Sequence, residues 1–155
     1  MKRLIYNDLL KWKNEEIHKP LILFGARQVG KTYILNQFGK QEFNNCVYVN
    51  CHNNEFIATL FRNFDIDRIV VDIERHYEKK IIAGNTLLIF DEIQEVRNGI
   101  ASLKYFYENM PELHVAVAGS LLGLSLHEGE SFPVGKVDML SLYPMTYVEY
   151  LMACG

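Results

Sequence analysis

Cysteine is scarce in this chain: Cys46, Cys51 and Cys154 are the whole complement among 155 residues. They form no CxxC pair and no zinc-like set, and an odd number so widely spaced suits reduced thiols in a cytosol rather than a disulfide framework. Proline is almost as sparse, at four residues, and no Gly/Ser-rich stretch appears, so nothing marks an internal domain boundary. The histidines, His18, His52, His76, His114 and His127, show no HExxH or comparable spacing, which leaves them ordinary surface or core roles. No apolar run approaches the roughly 18 residues that span a bilayer. Charge interrupts Met1-Lys2-Arg3-Leu4-Ile5 before a signal-peptide core can form. Charge of one sign is lacking too: 16 Lys+Arg face 19 Asp+Glu, formally −3. That balance excludes a nucleic-acid-coating basic surface, although a local patch remains possible. The expectation is a cytoplasmic protein that neither enters a membrane nor depends on nucleic acid.

What is present is ordinary globular material, with 49% hydrophobic and 23% charged residues. A single domain of this length buries about 70% of the surface its unfolded chain exposes, enough for one core without staples. The pattern alternates strand and helix. Helical spacing is expected over 3–15, from about Gly30 to Phe38 with Gly39 as its stop, and over most of 54–83 with a break near Asn63–Asp67. Further helices are expected from about Gly99 to Asn109, stopped at Pro111, and beginning at Tyr147–Met152. Leu21-Ile22-Leu23-Phe24, Val47-Tyr48-Val49, Thr86-Leu87-Leu88-Ile89-Phe90, Val115-Ala116-Val117-Ala118 and Val137–Leu142 read as strands. Several of these are apolar without alternation, as strands covered on both faces are. The implied fold is α/β, a five-stranded, mostly parallel sheet between two helical layers. In such sheets ligands sit beyond the carboxyl ends of the strands. Gly25 onward, Asn50, Asp91-Glu92 and Ser120 all fall there.

Gly25-Ala26-Arg27-Gln28-Val29-Gly30-Lys31-Thr32 fits GxxxxGK[ST] at every fixed position, after an expected strand and before an expected helix. Glycines let backbone N–H groups wrap phosphate oxygens. The helix N-terminus adds unpaired donors and the positive end of a dipole. Lys31 supplies a mobile point charge for the β- and γ-phosphates, and the Thr32 hydroxyl is the expected Mg²⁺ ligand.

Leu87-Leu88-Ile89-Phe90-Asp91-Glu92 ends a buried strand in two carboxylates, with Asp91 lying 60 residues beyond Lys31. Asp91 is placed to hold Mg²⁺ through a water, and Glu92 to take a proton from the water that attacks the γ-phosphate. The adjacent pair favours nucleotide hydrolysis over phosphoryl transfer to a small molecule. Ser120 closes the fourth strand and either bonds the γ-phosphate or caps a following helix. Asn50 either holds Glu92 from the neighbouring strand or is one of several turn asparagines. Lys136, after Gly135, either reaches a phosphate on a neighbouring subunit or is a solvated lysine. Arg97 suits a surface role, and Tyr143, Tyr147 and Tyr150 suit packing rather than base stacking.

In order, GARQVGKT, LLIFDEIQ, VAVAGS and GKVDMLSLYPMTYVEYL resemble the AAA+ branch of P-loop ATPases over about Pro20 to Leu151. More narrowly, they resemble prokaryotic ATPases whose core precedes a C-terminal domain of uncharacterised function. The resemblance implies the P-loop NTPase fold with sheet order 5-1-4-3-2, and ATP and Mg²⁺ as ligands. It implies nucleotide contacts from Gly25, Ala26, Arg27, Gln28, Val29, Gly30, Lys31, Thr32 and Tyr33. Thr32 and Asp91 would hold the metal, Glu92 would drive hydrolysis with Lys31, Ser120 would be a sensor and Asn50 a polar switch. Where the family has Gly-Arg, this chain has Gly135-Lys136, and lysine lacks the planar fork of an arginine finger. The family continues beyond this point, so residues 1–155 are expected to be an ATPase core without its lid and effector domain, with that domain as a partner and further copies of itself as a second candidate. A nucleotide-dependent switch with little turnover is the alternative. Adenine is the family's base, and no guanine-reading Asn-Lys-x-Asp motif is present.

Overall fold

A computed structural model describes residues 3–120 and 131–155 of the chain. The strands are β1 (Leu21–Gly25), β2 (Asn45–Asn50), β3 (Thr86–Asp91), β4 (His114–Ser120) and β5 (Asp138–Ser141). The helices are α1 (Ile5–Asn14), α2 (Lys31–Glu42), α3 (Glu55–Leu60), α4 (Ile66–Tyr77), α5 (Gly99–Asn109) and α6 (Tyr147–Cys154), with a 3₁₀ turn at Ile93–Glu95 after β3. The sheet order is β2-β3-β4-β1-β5, the expected 5-1-4-3-2 read from the other edge. Every strand pair is parallel.

Side chains alternate across the sheet, and the alternation builds two cores. Leu21, Leu23, Leu87, Ile89, Ala116 and Ala118 pack with Ile5, Leu9 and Trp12 of α1 and Ile34, Leu35 and Phe38 of α2. Ile22, Val47, Val49, Leu88, Phe90, Val115 and Val117 pack on the other face with residues of α3, α4 and α5, among them Ile57, Ile69 and Phe106. β3 lies between β2 and β4 and is buried at all of its residues, which explains its unbroken apolar run.

Two helix boundaries differ from the sequence expectation. α2 does not stop at Gly39 but continues to Glu42. Gly39 serves packing instead: a Cβ there would lie 2.5 Å from Cys46 Sγ and 3.2 Å from Leu87 Cδ2, so its absence lets the helix lie close on the sheet. The helical stretch of 54–83 divides into α3 and α4 and ends at Tyr77, because Glu78 turns left-handed at φ 54°. The Glu78 and Lys79 N–H groups then share Glu74 O, the latter at 3.2 Å, which closes the end of the helix. The break between the helices is set by Asp65, whose carboxylate accepts from Arg68 N–H and starts α4.

The register aligns the strand ends that matter. Gly25 lies opposite Ser120, Asn50 opposite Asp91, and Asp91 opposite Ala118. No helix among the described residues is long and apolar enough to cross a membrane.

Candidate functional site

The loop from Gly25 to Gly30 is shaped by its neighbours. A Cβ at Gly25 would lie 2.2 Å from the backbone oxygen of Leu142, so only glycine lets β1 leave the sheet beside the end of β5. Gly30 stands before α2 with φ 97°, a backbone that side chains resist. Gln28 takes φ 63° without being glycine, at a cost of roughly 1–2 kcal/mol. Ala26, Arg27 and Gln28 are exposed, leaving the outer arc of the loop open. The first turn of α2, Lys31-Thr32-Tyr33, brings N–H groups that have no acceptor within the helix.

Lys31 is buried, and its ammonium bridges two carbonyls of its own loop, Gly25 O at 3.1 Å and Ala26 O at 2.6 Å. Burial pushes its pKa below the ordinary lysine range, while the negative charges of Glu92 and Asp91 oppose that fall. An ammonium has three donors. Two rest on neutral carbonyls here, which anionic oxygens can replace with stronger, charge-assisted bonds.

Strand parity decides what faces the loop. Residues 87, 89 and 91 of β3 point to the face that carries α2, so the Asp91 carboxylate meets the helix's first turn. Thr32 Oγ1 donates to Asp91 Oδ2 at 2.9 Å. The same carboxylate oxygen accepts a second hydrogen bond from the Tyr48 hydroxyl. Tyr48 lies opposite Ile89 in β2 and so shares that face. Burial, reinforced by the hydrogen bond to Asp91, pushes the Tyr48 pKa well above the usual tyrosine range and keeps it a neutral donor. Sequence reasoning missed Tyr48; a strand-alternation reading of Cys46, Tyr48 and Asn50 against Asp91 would have found it.

Glu92 follows with left-handed backbone, φ 58°, and its N–H bonds Ala118 O at 3.0 Å. That turn carries its side chain out of the strand alternation. The Glu92 carboxylate accepts from the Gln94 carboxamide, a buried residue of the 3₁₀ turn that sequence reasoning had also not singled out. Asn50, in contrast, does not bond Glu92. Its carboxamide oxygen accepts from His52 N–H at 3.0 Å, the turn-asparagine alternative, and Asn54 Nδ2 donates to its backbone oxygen.

Tyr33 is exposed beside the loop. Ser120 reaches the site through its backbone, opposite Gly25; its side chain and His127 lie outside the described residues. Lys136 is turned away, 3.7 Å from Glu108 Oε1 and over the ring of Tyr107. Among the described residues no group of three or more His, Cys, Asp or Glu side chains forms a metal cage. The Thr32 hydroxyl and Asp91 carboxylate are nonetheless two hard oxygen donors side by side. They fit Mg²⁺, which draws its remaining ligands from water and phosphate. The arrangement can therefore receive a polyphosphate and a small divalent cation, with a carboxylate at hand to accept a proton.

Comparison with known proteins bears on the family and the fold. A family model described as "AAA domain" matches residues 17–151. No curated protein matches the chain. Among solved structures, the chain is similar to the Aeropyrum pernix ORC1 protein in complex with DNA, at TM-score 0.56 and 14% identity over 94% of this chain and 44% of that one. It is similar also to Drosophila ORC bound to DNA, at TM-score 0.59 and 14% identity over 96% of this chain and 44% of that one. The chain thus spans less than half the length of either. At this identity the likeness speaks for the fold.

Proposed function

The chain belongs to the AAA domain family, and from that membership we propose that it is the ATP-binding core of a Mg²⁺-dependent ATPase. The observation that carries the reading is the Thr32–Asp91 hydrogen bond of 2.9 Å, which joins the end of the phosphate loop to the acidic strand end. Two motifs 60 residues apart in sequence form one site. In this reading the N–H groups at the start of α2 and the Lys31 ammonium bind the phosphates. Thr32 and Asp91 hold Mg²⁺, which when bound neutralises charge on the phosphate oxygens. Tyr48 holds the Asp91 carboxylate in orientation through its hydroxyl, and Glu92 takes the proton of the attacking water. Ser120 borders the same site from β4. Adenine, rather than guanine, follows from the family.

Lys136 lies 3.7 Å from Glu108 Oε1 and lacks the planar fork of an arginine, and in this reading the transition-state cation is supplied from outside these residues. A cation supplied in trans is worth about 10³–10⁵ in rate in related phosphate-loop enzymes, and these residues alone are expected to turn over slowly. The output is assigned to an effector domain of the same protein outside these residues, in the manner of the prokaryotic group it resembles. DNA appears with both similar solved structures.

One observation favours a second reading, a nucleotide-dependent switch: Gln94 engages the Glu92 carboxylate. Phosphate release by wild type and Glu92→Gln decides between them. Hydrolysis predicts equal ATP binding and a loss of turnover of about 10²–10⁴ in the variant, the usual worth of a general base. A switch predicts the same background rate for both.

A further inference from the structure

We propose that Arg3 is a positioning residue of the phosphate loop, an inference that rests on the reading of that loop as a nucleotide site. Arg3 and Glu149 stand 146 residues apart in sequence, yet their side chains meet with only 5% of either exposed. Arg3 Nε donates to Glu149 Oε1 at 3.1 Å, Nη2 to Tyr143 O at 2.6 Å, and Nη1 to Val29 O at 3.2 Å. The last bond enters the loop itself. Val29 C=O and Gly30 N–H share one trans peptide plane and point in opposite directions. A guanidinium that holds the carbonyl from one side therefore aims the Gly30 N–H away from itself. Gly30 has the backbone freedom to rotate this peptide, with φ 97°, so its direction needs an external hold. An ideal Cβ on Gly30 would lie 3.8 Å from Arg3 Nη1, which places the guanidinium directly behind that turn.

The other side of Arg3 is itself fixed. Glu149 Oε1 also accepts from Leu4 N–H at 2.8 Å, and Oε2 from Thr146 N–H at 2.8 Å within the capping box that starts α6. Burial pushes the Glu149 pKa up, but the Thr146, Leu4 and Arg3 hydrogen bonds outweigh it and keep the carboxylate charged. Arginine suits the place because its fork serves three acceptors at once, which a lysine point charge cannot do. The segment before α1, the phosphate loop and α6 are thereby joined through one guanidinium.

Calorimetric titration with MgATP and with tripolyphosphate tests the assignment. Arg3→Ala alone would strand the Glu149 carboxylate, so the decisive variant is Arg3→Met with Glu149→Gln, which buries no unpaired charge. Glu149→Gln alone keeps an acceptor for Arg3 Nε and the bond to Val29 and serves as its control; it leaves the buried guanidinium without a counter-charge, so its folded fraction is matched to the double variant by circular dichroism before titration. The double variant is expected to bind both probes about 10- to 100-fold more weakly than the control, as for a lost charge-assisted hydrogen bond, at unchanged stoichiometry. Arg3→Lys should recover part of the loss. Equal dissociation constants for double variant and control would overturn the proposal. So would a loss seen only as reduced stoichiometry, the mark of a partly unfolded sample. If wild type binds neither probe, the nucleotide reading fails and this assignment falls with it.

Discussion

Acidifying the protein from pH 7 to about pH 4.5 tests a buried feature on the face of the sheet that carries α1 and α2. His114 opens β4 and stacks on His18 with ring centroids 3.7 Å apart, while the edges of Trp12 and Phe43 close around it. Its Nε2 lies 3.0 Å from Lys13 O and donates to it, which leaves Nδ1 buried with no partner among the described residues. A bare lone pair is tolerable there; a second N–H would be an unpaired donor beside another imidazole and the Lys13 ammonium. Burial is the main cause, and it lowers the His114 pKa from 6.5 to about 4. The unfolded chain takes up its proton near 6.5 and the folded chain only near 4, so stability is complete above 6.5 and falls as the pH drops through that window. Between pH 7 and about pH 4.5 this linkage removes about 2 kcal/mol, or roughly 5 °C in Tm for a domain of this size. Thermal unfolding by circular dichroism at both pH values measures it. His114→Phe, which keeps the aromatic packing, should lose about 5 °C less than wild type between the two. Equal losses in the two proteins would mean that protonation of His114 is not what weakens the fold in acid.

Three further outcomes are expected. Tyr48→Phe removes one of two hydroxyl donors to Asp91; it should raise the Mg²⁺ concentration needed for ATP binding about tenfold, read from titrations at graded Mg²⁺. Gly25→Ala drives a Cβ to 2.2 Å from Leu142 O; a Tm fall of at least ~5 °C should accompany loss of ATP binding, measured by thermal shift with and without nucleotide. Alkylation followed by mass spectrometry should modify the exposed Cys154 first and the buried Cys51 last, since burial raises the Cys51 pKa far above the thiol range.

The parts of the fold written in local sequence were legible. Uninterrupted apolar runs marked β1 and β3 because helices cover both faces, and the glycine-bounded loop with its lysine marked the start of α2. Gly39 was misread as a helix stop because its role lies in the approach of α2 to Cys46 and Leu87, which no local pattern displays. Asp91 and Thr32 were assigned to one ion from their motifs, and they lie in contact. Tyr48 was within reach of a strand-alternation reading of β2 against β3, whereas Gln94 could not be paired with Glu92 without the left-handed turn at Glu92. Arg3 and Glu149 were the least legible, since only the folded chain brings its two ends behind the loop. Asn50 shows the converse: its position at a strand end invited a functional role, and its side chain is used in a local turn.

In the proposed function the loop from Gly25 to Thr32 holds the phosphates of ATP, with Lys31 as their cation. ATP titration by calorimetry with Mg²⁺ present, on wild type and on Lys31→Ala, puts this to the test. One ATP bound per chain is expected for wild type, and no measurable binding for the variant at the same folded fraction. Folded wild type that takes up no ATP, or a Lys31→Ala protein that binds as tightly as wild type, would contradict that reading.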